Sequence, residues 1–250
     1  MYARLAYAAL FLLLALVGCT SSSGGKAVQD AKPHYLLGAS ALSENDPTMA
    51  LQEFLLAEKA DPRDPDIQAG LAQAYMQKRA YELAEKHLKN AVELSDGSPQ
   101  HYNNLGVLYL IVERYDDAIA AFRKAAENLL FASPEVAWTG VGYAYFLKHD
   151  YAAAERYYKK ARELNPRYFQ TMFRLGELYY SQDRMAEAMD ALIRTIELAP
   201  NYAQGHYWLG LTAMKTQDNV LARKSFQETI KLAPDSEQSR LARSYLKILK

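Results

Sequence analysis

The sequence repeats itself every 34 residues, and that period constrains the fold more than any other feature. Leu37-Gly38, Leu71-Ala72, Leu105-Gly106, Val141-Gly142, Leu175-Gly176 and Leu209-Gly210 follow one another at spacings of 34, 34, 36, 34 and 34. Twelve residues after each pair stands an alanine: Ala50, Ala84, Ala118, Ala154, Ala188 and Ala222. Four further on comes a bulky residue: Phe54, Leu88, Phe122, Tyr158, Leu192 and Phe226. Three beyond that come Ala57, Ala91, Ala125, Ala161, Thr195 and Thr229. Pro62, Pro166, Pro200 and Pro234 close four of the units, where a missing N–H suits the approach to a new helix. Within a unit, apolar residues recur at three- and four-residue spacing, which predicts two amphipathic helices. Such a unit cannot bury its apolar face alone, so the units must stack on one another.

The pattern resembles the tetratricopeptide repeat, a helix–turn–helix unit of this length. The resemblance implies an all-α superhelix, with six repeats at 31–64, 65–98, 99–132, 135–168, 169–202 and 203–236. Small residues at the eighth and twentieth positions let paired helices approach, and the bulky residue four later fills the space between pairs. Residues 237–250, "EQSRLARSYLKILK", read as a capping helix whose Leu241, Tyr245 and Leu249 cover the end of the stack. The junction "ENLLFASPEVAW" between repeats three and four is two residues longer than the others.

The chain opens "MYARLAYAALFLLLALVGC". Arg4 is a short positive n-region, and Leu5 to Leu16 form an apolar stretch too short to span a bilayer, which needs about 20 residues. Leu16-Val17-Gly18-Cys19 resembles a bacterial lipobox. That resemblance implies a signal peptide over 1–18, lipidation of Cys19 and anchoring in a membrane. The other reading is an ordinary signal peptide, but its usual A-x-A cleavage pattern is absent. Cys19 is the chain's single cysteine, so no internal disulfide is possible. Thr20 in place of an aspartate implies, by likeness to sorted lipoproteins, the periplasmic face of the outer membrane. Residues 19–30, "CTSSSGGKAVQD", have no apolar face and read as a flexible tether.

Twenty-nine basic and 29 acidic residues balance, which disfavours a nucleic-acid binder. The five histidines, His34, His87, His101, His149 and His206, fall in separate repeats without metal-ligand spacing and read as surface or partly packed residues. "GVGYAY" follows no strand, and its Gly142 is the helix-packing residue of repeat four. No catalytic constellation, metal site, cofactor or small-molecule substrate is expected. The chain reads as a binding protein and not as an enzyme.

Function must then come from a surface. By the repeat resemblance, positions 2, 5, 9, 12 and 13 face a concave groove. They supply Asn103, Val107, Leu110 and Ile111 in repeat three, and Tyr143, Phe146 and Leu147 in repeat four. Phe173 and Tyr180 follow in repeat five, and Tyr207, Leu211 and Met214 in repeat six. This apolar strip predicts a docking site for an apolar helix or strand. The competing outcome is that these residues pack on each other, or that the capping helix folds in. Tyr35, Ala39 and Leu42 of repeat one form a second candidate surface, nearest the anchor.

A lipobox, a tether and six consecutive repeats together resemble the type IV pilus biogenesis lipoproteins. "HYNNLGVLYLIVERYDDAIAAFRKA" and the long junction to "SPEVAWTGVGYAYF" carry that likeness most. The family acts as pilotins, so the resemblance implies an outer-membrane adaptor that helps secretin subunits reach and assemble in the outer membrane. Scaffolding of peptidoglycan hydrolases or service in the outer-membrane assembly machinery stays open beside it.

Overall fold

The computed structural model describes residues 23–249, with side chains from Ala31 onward. The lipobox and Cys19 lie outside the described residues. Among the described residues the chain forms thirteen helices and no strand. They are α1 (Ser23–Ser43), α2 (Pro47–Ala60), α3 (Pro65–Gln77), α4 (Tyr81–Leu94), α5 (Pro99–Ile111), α6 (Tyr115–Ala126), α7 (Pro134–Leu147), α8 (Tyr151–Leu164), α9 (Phe169–Ser181), α10 (Met185–Leu198), α11 (Ala203–Lys215), α12 (Asn219–Leu232) and α13 (Glu237–Ile248). None of these helices is long and apolar enough to cross a membrane.

The helix ends follow from local chemistry. Pro47, Pro65, Pro99 and Pro134 open their helices, where the absent N–H has no intrahelical partner to lose. Asp46, Asp64, Asp150, Asp218 and Ser236 accept from backbone N–H groups of the first turn. Each turn within a repeat passes through one non-glycine residue in the left-handed region: Asn45, Arg79, Glu113, His149, Asp183 and Gln217, with φ of 60–62°. The next residue's N–H then bonds back to a carbonyl five residues earlier, as Arg114 does to Tyr109 at 2.8 Å. That bond satisfies a carbonyl the helix end leaves open and offsets the strained φ.

The packing reproduces the spacing of the sequence. A Cβ on Gly106 would lie 2.6 Å from the ring of Phe122, and one on Gly142 2.5 Å from Tyr158. The glycine is therefore a seat for the bulky residue of its partner helix. Phe54, Tyr158, Leu192 and Phe226 are each at most 1% exposed. Successive helices pack in chain order, and odd-numbered helices also touch their odd neighbours, from α1·α3 to α11·α13. Even-numbered helices do not touch one another. The odd helices therefore line the inner side of the curve and the even helices splay on the outer side.

Three expectations change here. Helix α1 begins at Ser23, inside the stretch read as tether, and carries Pro33 within it. At the other end α13 packs through Ser239 and Ala242, with Leu249 buried just past its end, and Tyr245 stacks on Phe226 at 5.2 Å. Leu241 is 38% exposed and is not part of that seal. His87, His101 and His206 are buried rather than superficial. His87 bonds to Gln68 at 2.7 Å and His206 to the Pro200 carbonyl at 2.8 Å. Burial lowers the pKa of His87 and His101, against the pull of Glu58 on the first and of Asp66 and Asp64 on the second.

Candidate functional site

The inner face divides into an open part and a filled part. Over repeats one to three it opens into a cleft of about 350 Å³. Tyr35, Ala39 and Leu42 line one wall, with Asp66, Gln73, Gln100 and Asn104 opposite. A second cleft of about 150 Å³ continues it past Gln73 and Asn104 to Met76, Leu88 and Val107. The second candidate surface of the sequence analysis thus lines the larger of the two clefts. Amide side chains carry both a donor and an acceptor, the pair that an extended backbone presents. Exposed Val107 and Ile111, at 39% and 45%, add an apolar margin.

Over repeats four to six the groove is occupied by its own side chains. The ring of Tyr143 stacks on Phe146 at 6.2 Å, and Phe146 meets Tyr151 at 5.8 Å. Tyr180 meets Trp208 edge-on at 5.2 Å, and Lys215 lies 4.5 Å over Tyr180. Arg174 lies 3.8 Å over Tyr143 and donates to Glu177 at 2.6 Å. Burial raises the Glu177 carboxyl above its usual range, with Arg174 pulling it back. Burial also opposes the charge on Arg174, but Glu177 and Tyr143 outweigh it and the guanidinium stays charged. Below this pair the Tyr158 hydroxyl is buried without a hydrogen-bond partner, and burial pushes its pKa well up. In repeat six the capping helix reaches Tyr207, whose hydroxyl is raised to about 12 by burial and by Tyr245.

Of the proposed groove residues, Val107 and Ile111 are the most open. Leu110, Tyr143, Phe146, Leu147, Tyr180, Leu211 and Met214 are half-buried. Asn103, Phe173 and Tyr207 are buried, at 8%, 1% and 9% exposed, and do not line the groove. All three occupy position five, which turns out of the groove: Phe173 packs with Leu209 of repeat six, and Tyr207 packs on the capping helix. Phe173 meets Tyr202 at 5.1 Å, and Thr139, at the same position in repeat four, bonds to Thr171 of repeat five at 2.7 Å. Position six, roughly 100° further round the helix, supplies Asn104 and Arg174 to the inner face instead. Helical phase was the signal for that position. The set of positions taken from the repeat resemblance, 2, 5, 9, 12 and 13, leaves it out. Among the described residues no group of three or more His, Cys, Asp or Glu is placed to hold a metal ion.

Repeats of this length, their helix pairs and their stacking define a repeat solenoid. Models described as tetratricopeptide repeat match residues 35–99, 69–135, 145–214 and 204–236, and the chain belongs to the tetratricopeptide-repeat proteins. BBSome complex member BBS4 of Bos taurus is 22% identical over 199 residues, 80% of this chain and 38% of that protein. Type IV pilus assembly protein PilF of Pseudomonas aeruginosa is 24% identical over 184 residues, 70% of this chain and 73% of that protein. The chain spans only 38% and 14% of the first two relatives, BBS4 and human cilia- and flagella-associated protein 70. The solved structure of Pseudomonas aeruginosa PilF superposes with a TM-score of 0.71 at 18% identity, over 88% of this chain and 99% of that one. That of PilW, a type IV pilus biogenesis factor, gives 0.74 at 18% identity, over 86% and 99%. These superpositions show a shared fold.

Proposed function

We propose that this chain is a lipid-anchored adaptor of type IV pilus biogenesis, a pilotin that helps secretin subunits reach and assemble in the outer membrane. The observation that carries the reading is the match of extent. PilF and PilW are each covered over 99% of their solved chains, whereas BBS4 is matched over 38% of its length. The lipobox at Leu16–Cys19 supports the address: acylation of Cys19 holds the solenoid at the periplasmic face of the outer membrane. The cleft of repeats one to three supports the recognition step. It offers amide groups to an extended backbone and an apolar margin to its side chains. Binding, and not catalysis, is the activity.

The test is a pull-down from native envelopes with the chain tagged at its C-terminus. Recovery of the secretin supports the reading, and its loss with Gln73→Ala/Asn104→Ala assigns it to the cleft. Recovery of peptidoglycan hydrolases without a secretin replaces the reading with a cell-wall scaffold. Cys19→Ser should leave the fold intact and strand the protein away from the outer membrane. Secretin multimers that form normally in that strain would count against the role.

A further inference from the structure

The junctions between repeats are not alike, and they alternate. At the junction of repeats two and three, the Glu85 carboxylate of α4 accepts from Tyr109 Oη at 3.1 Å and from Arg114 Nη1 at 2.8 Å. Lys89 pairs with the same carboxylate at 2.8 Å. Arg114 in turn donates to Asp117 at 2.7 Å and lies 4.5 Å over the Tyr109 ring. Seventy residues later the same cluster recurs at the junction of repeats four and five. Glu155 accepts from Tyr179 at 3.2 Å and from Arg184 at 2.7 Å, and pairs with Lys159 at 2.7 Å. Arg184 also bonds to Glu187 and lies 4.3 Å over Tyr179.

The other junctions lack the cluster. Position 21, which holds Glu85 and Glu155, holds Leu51, Ile119 and Met189 in repeats one, three and five. The arginines replace something useful. Arg114 and Arg184 stand at helix N-caps and, like Ala80 in repeat two, make no side-chain cap bond, whereas Asp46, Asp150 and Asp218 at the corresponding turns do. A capping carboxylate stabilises a helix start, and at these two turns the arginine supplies a clasp in its place. The carboxylates at the centre of each cluster are held well out of water, with side chains 21% and 17% exposed.

We infer that the solenoid is a tandem of two-repeat bodies in which ionic clasps on sheltered carboxylates lock junctions two–three and four–five, while junctions three–four and five–six carry only a single exposed lysine–aspartate pair, Lys148–Asp116 and Lys215–Asp183, beside their apolar contacts. The clasps set how far the repeats splay. The first ties α4 to the α5–α6 turn, the same junction across which the smaller cleft opens between α3 and α5. The width of that cleft is therefore coupled to the clasp. The inference concerns the solenoid itself and stands whether or not the chain serves pilus assembly.

Salt separates the two kinds of junction, because it screens partly exposed charges and leaves apolar burial intact or strengthens it. Amide hydrogen exchange on the full chain, read helix by helix at ~0.05 M and ~1 M NaCl, is the measurement. Exchange in α4–α5 and α8–α9 should quicken at least about threefold at high salt, while α6–α7, joined by the one exposed pair Lys148–Asp116, changes by clearly less. A uniform change, or none at the clasped junctions, overturns the inference. Glu155→Gln should abolish the response at α8–α9 and leave that at α4–α5. Arg184→Ser offers the helix a capping hydroxyl while removing the clasp, and should act alike even if the first variant folds poorly. A salt response that persists at α8–α9 in either variant sinks the proposal.

Discussion

Repeats one to three and repeats four to six are built from the same unit, yet they use their inner faces in opposite ways. In the first half, Ala39, Ala69, Gln73 and Asn104 leave a cleft between odd-numbered helices. In the second, Tyr143, Phe146, Tyr180 and Trp208 fill the equivalent space, with Arg174 and Glu177 among them. A tyrosine or tryptophan carries far more apolar surface than an alanine, and rings that can meet at 5–6 Å will cover one another rather than stand in water. The lesson is that an aromatic strip in a repeat groove is as much a route to self-packing as to docking. A run of small and amide residues leaves the room a ligand needs.

The sharpest break of this comparison is at Phe173 against Val107. Phe173→Ala removes a buried ring from the second half and should cost about 3–5 kcal/mol in urea unfolding. Val107→Ala at the open margin should cost below about 1 kcal/mol. Equal losses would show that Phe173 is not packed between units, or that Val107 is not at an open margin, as described.

The Arg174–Glu177 pair comes next. Breaking it with Glu177→Leu leaves a guanidinium largely buried without its partner and should destabilise by about 2–3 kcal/mol, since Arg174 keeps some solvent contact. Arg174→Met combined with Glu177→Leu should recover most of that loss. A double variant as weak as the single would mean that the pair stabilises the filled groove on its own account.

Acid should act through the clasps. The Arg184 guanidinium, opposed by burial and helped by Lys159, holds the Glu155 carboxyl down at about 2 against an ordinary 4.5. A depressed carboxyl stabilises the fold above its unfolded pKa, and that stability is lost as pH falls through the folded value. Unfolding midpoints should therefore fall between pH 4.5 and about 2, and Glu155→Gln should flatten that part of the profile. Glu85 is lowered in the same direction by Lys89, Arg114 and Tyr109 acting against burial.

The smallest effect belongs to the long junction. Leu129 and Leu130 are 99% and 89% exposed, so Leu129→Ser/Leu130→Ser should change stability by less than about 0.5 kcal/mol in the same urea titration. A larger loss would place those leucines against the body of the solenoid.

The period of 34, the alanines, the bulky seats and the prolines that close units ahead of a new helix were legible in the sequence. They act through local propensity and through contacts repeated at fixed spacing. That information was enough for the class, the count of repeats and the residues of the core. The groove was only half legible. The repeat resemblance placed Val107 and Ile111 on an open face, but it put Asn103, Phe173 and Tyr207 there too. Phe173 packs on repeat six and Tyr207 on the capping helix, and which of two adjacent positions turns inward depends on the rotation of one helix against the next. The closing of repeat six by Tyr245 and the filling of repeats four and five are likewise contacts between units. The clasps were written in the sequence as Glu85 and Glu155, Arg114 and Arg184, yet only packing brings each carboxylate to its arginine across 29 residues. Periodicity determines a repeat, because its contacts are local and recur. The site was decided by the tertiary structure, because it depends on how side chains from different repeats share one space.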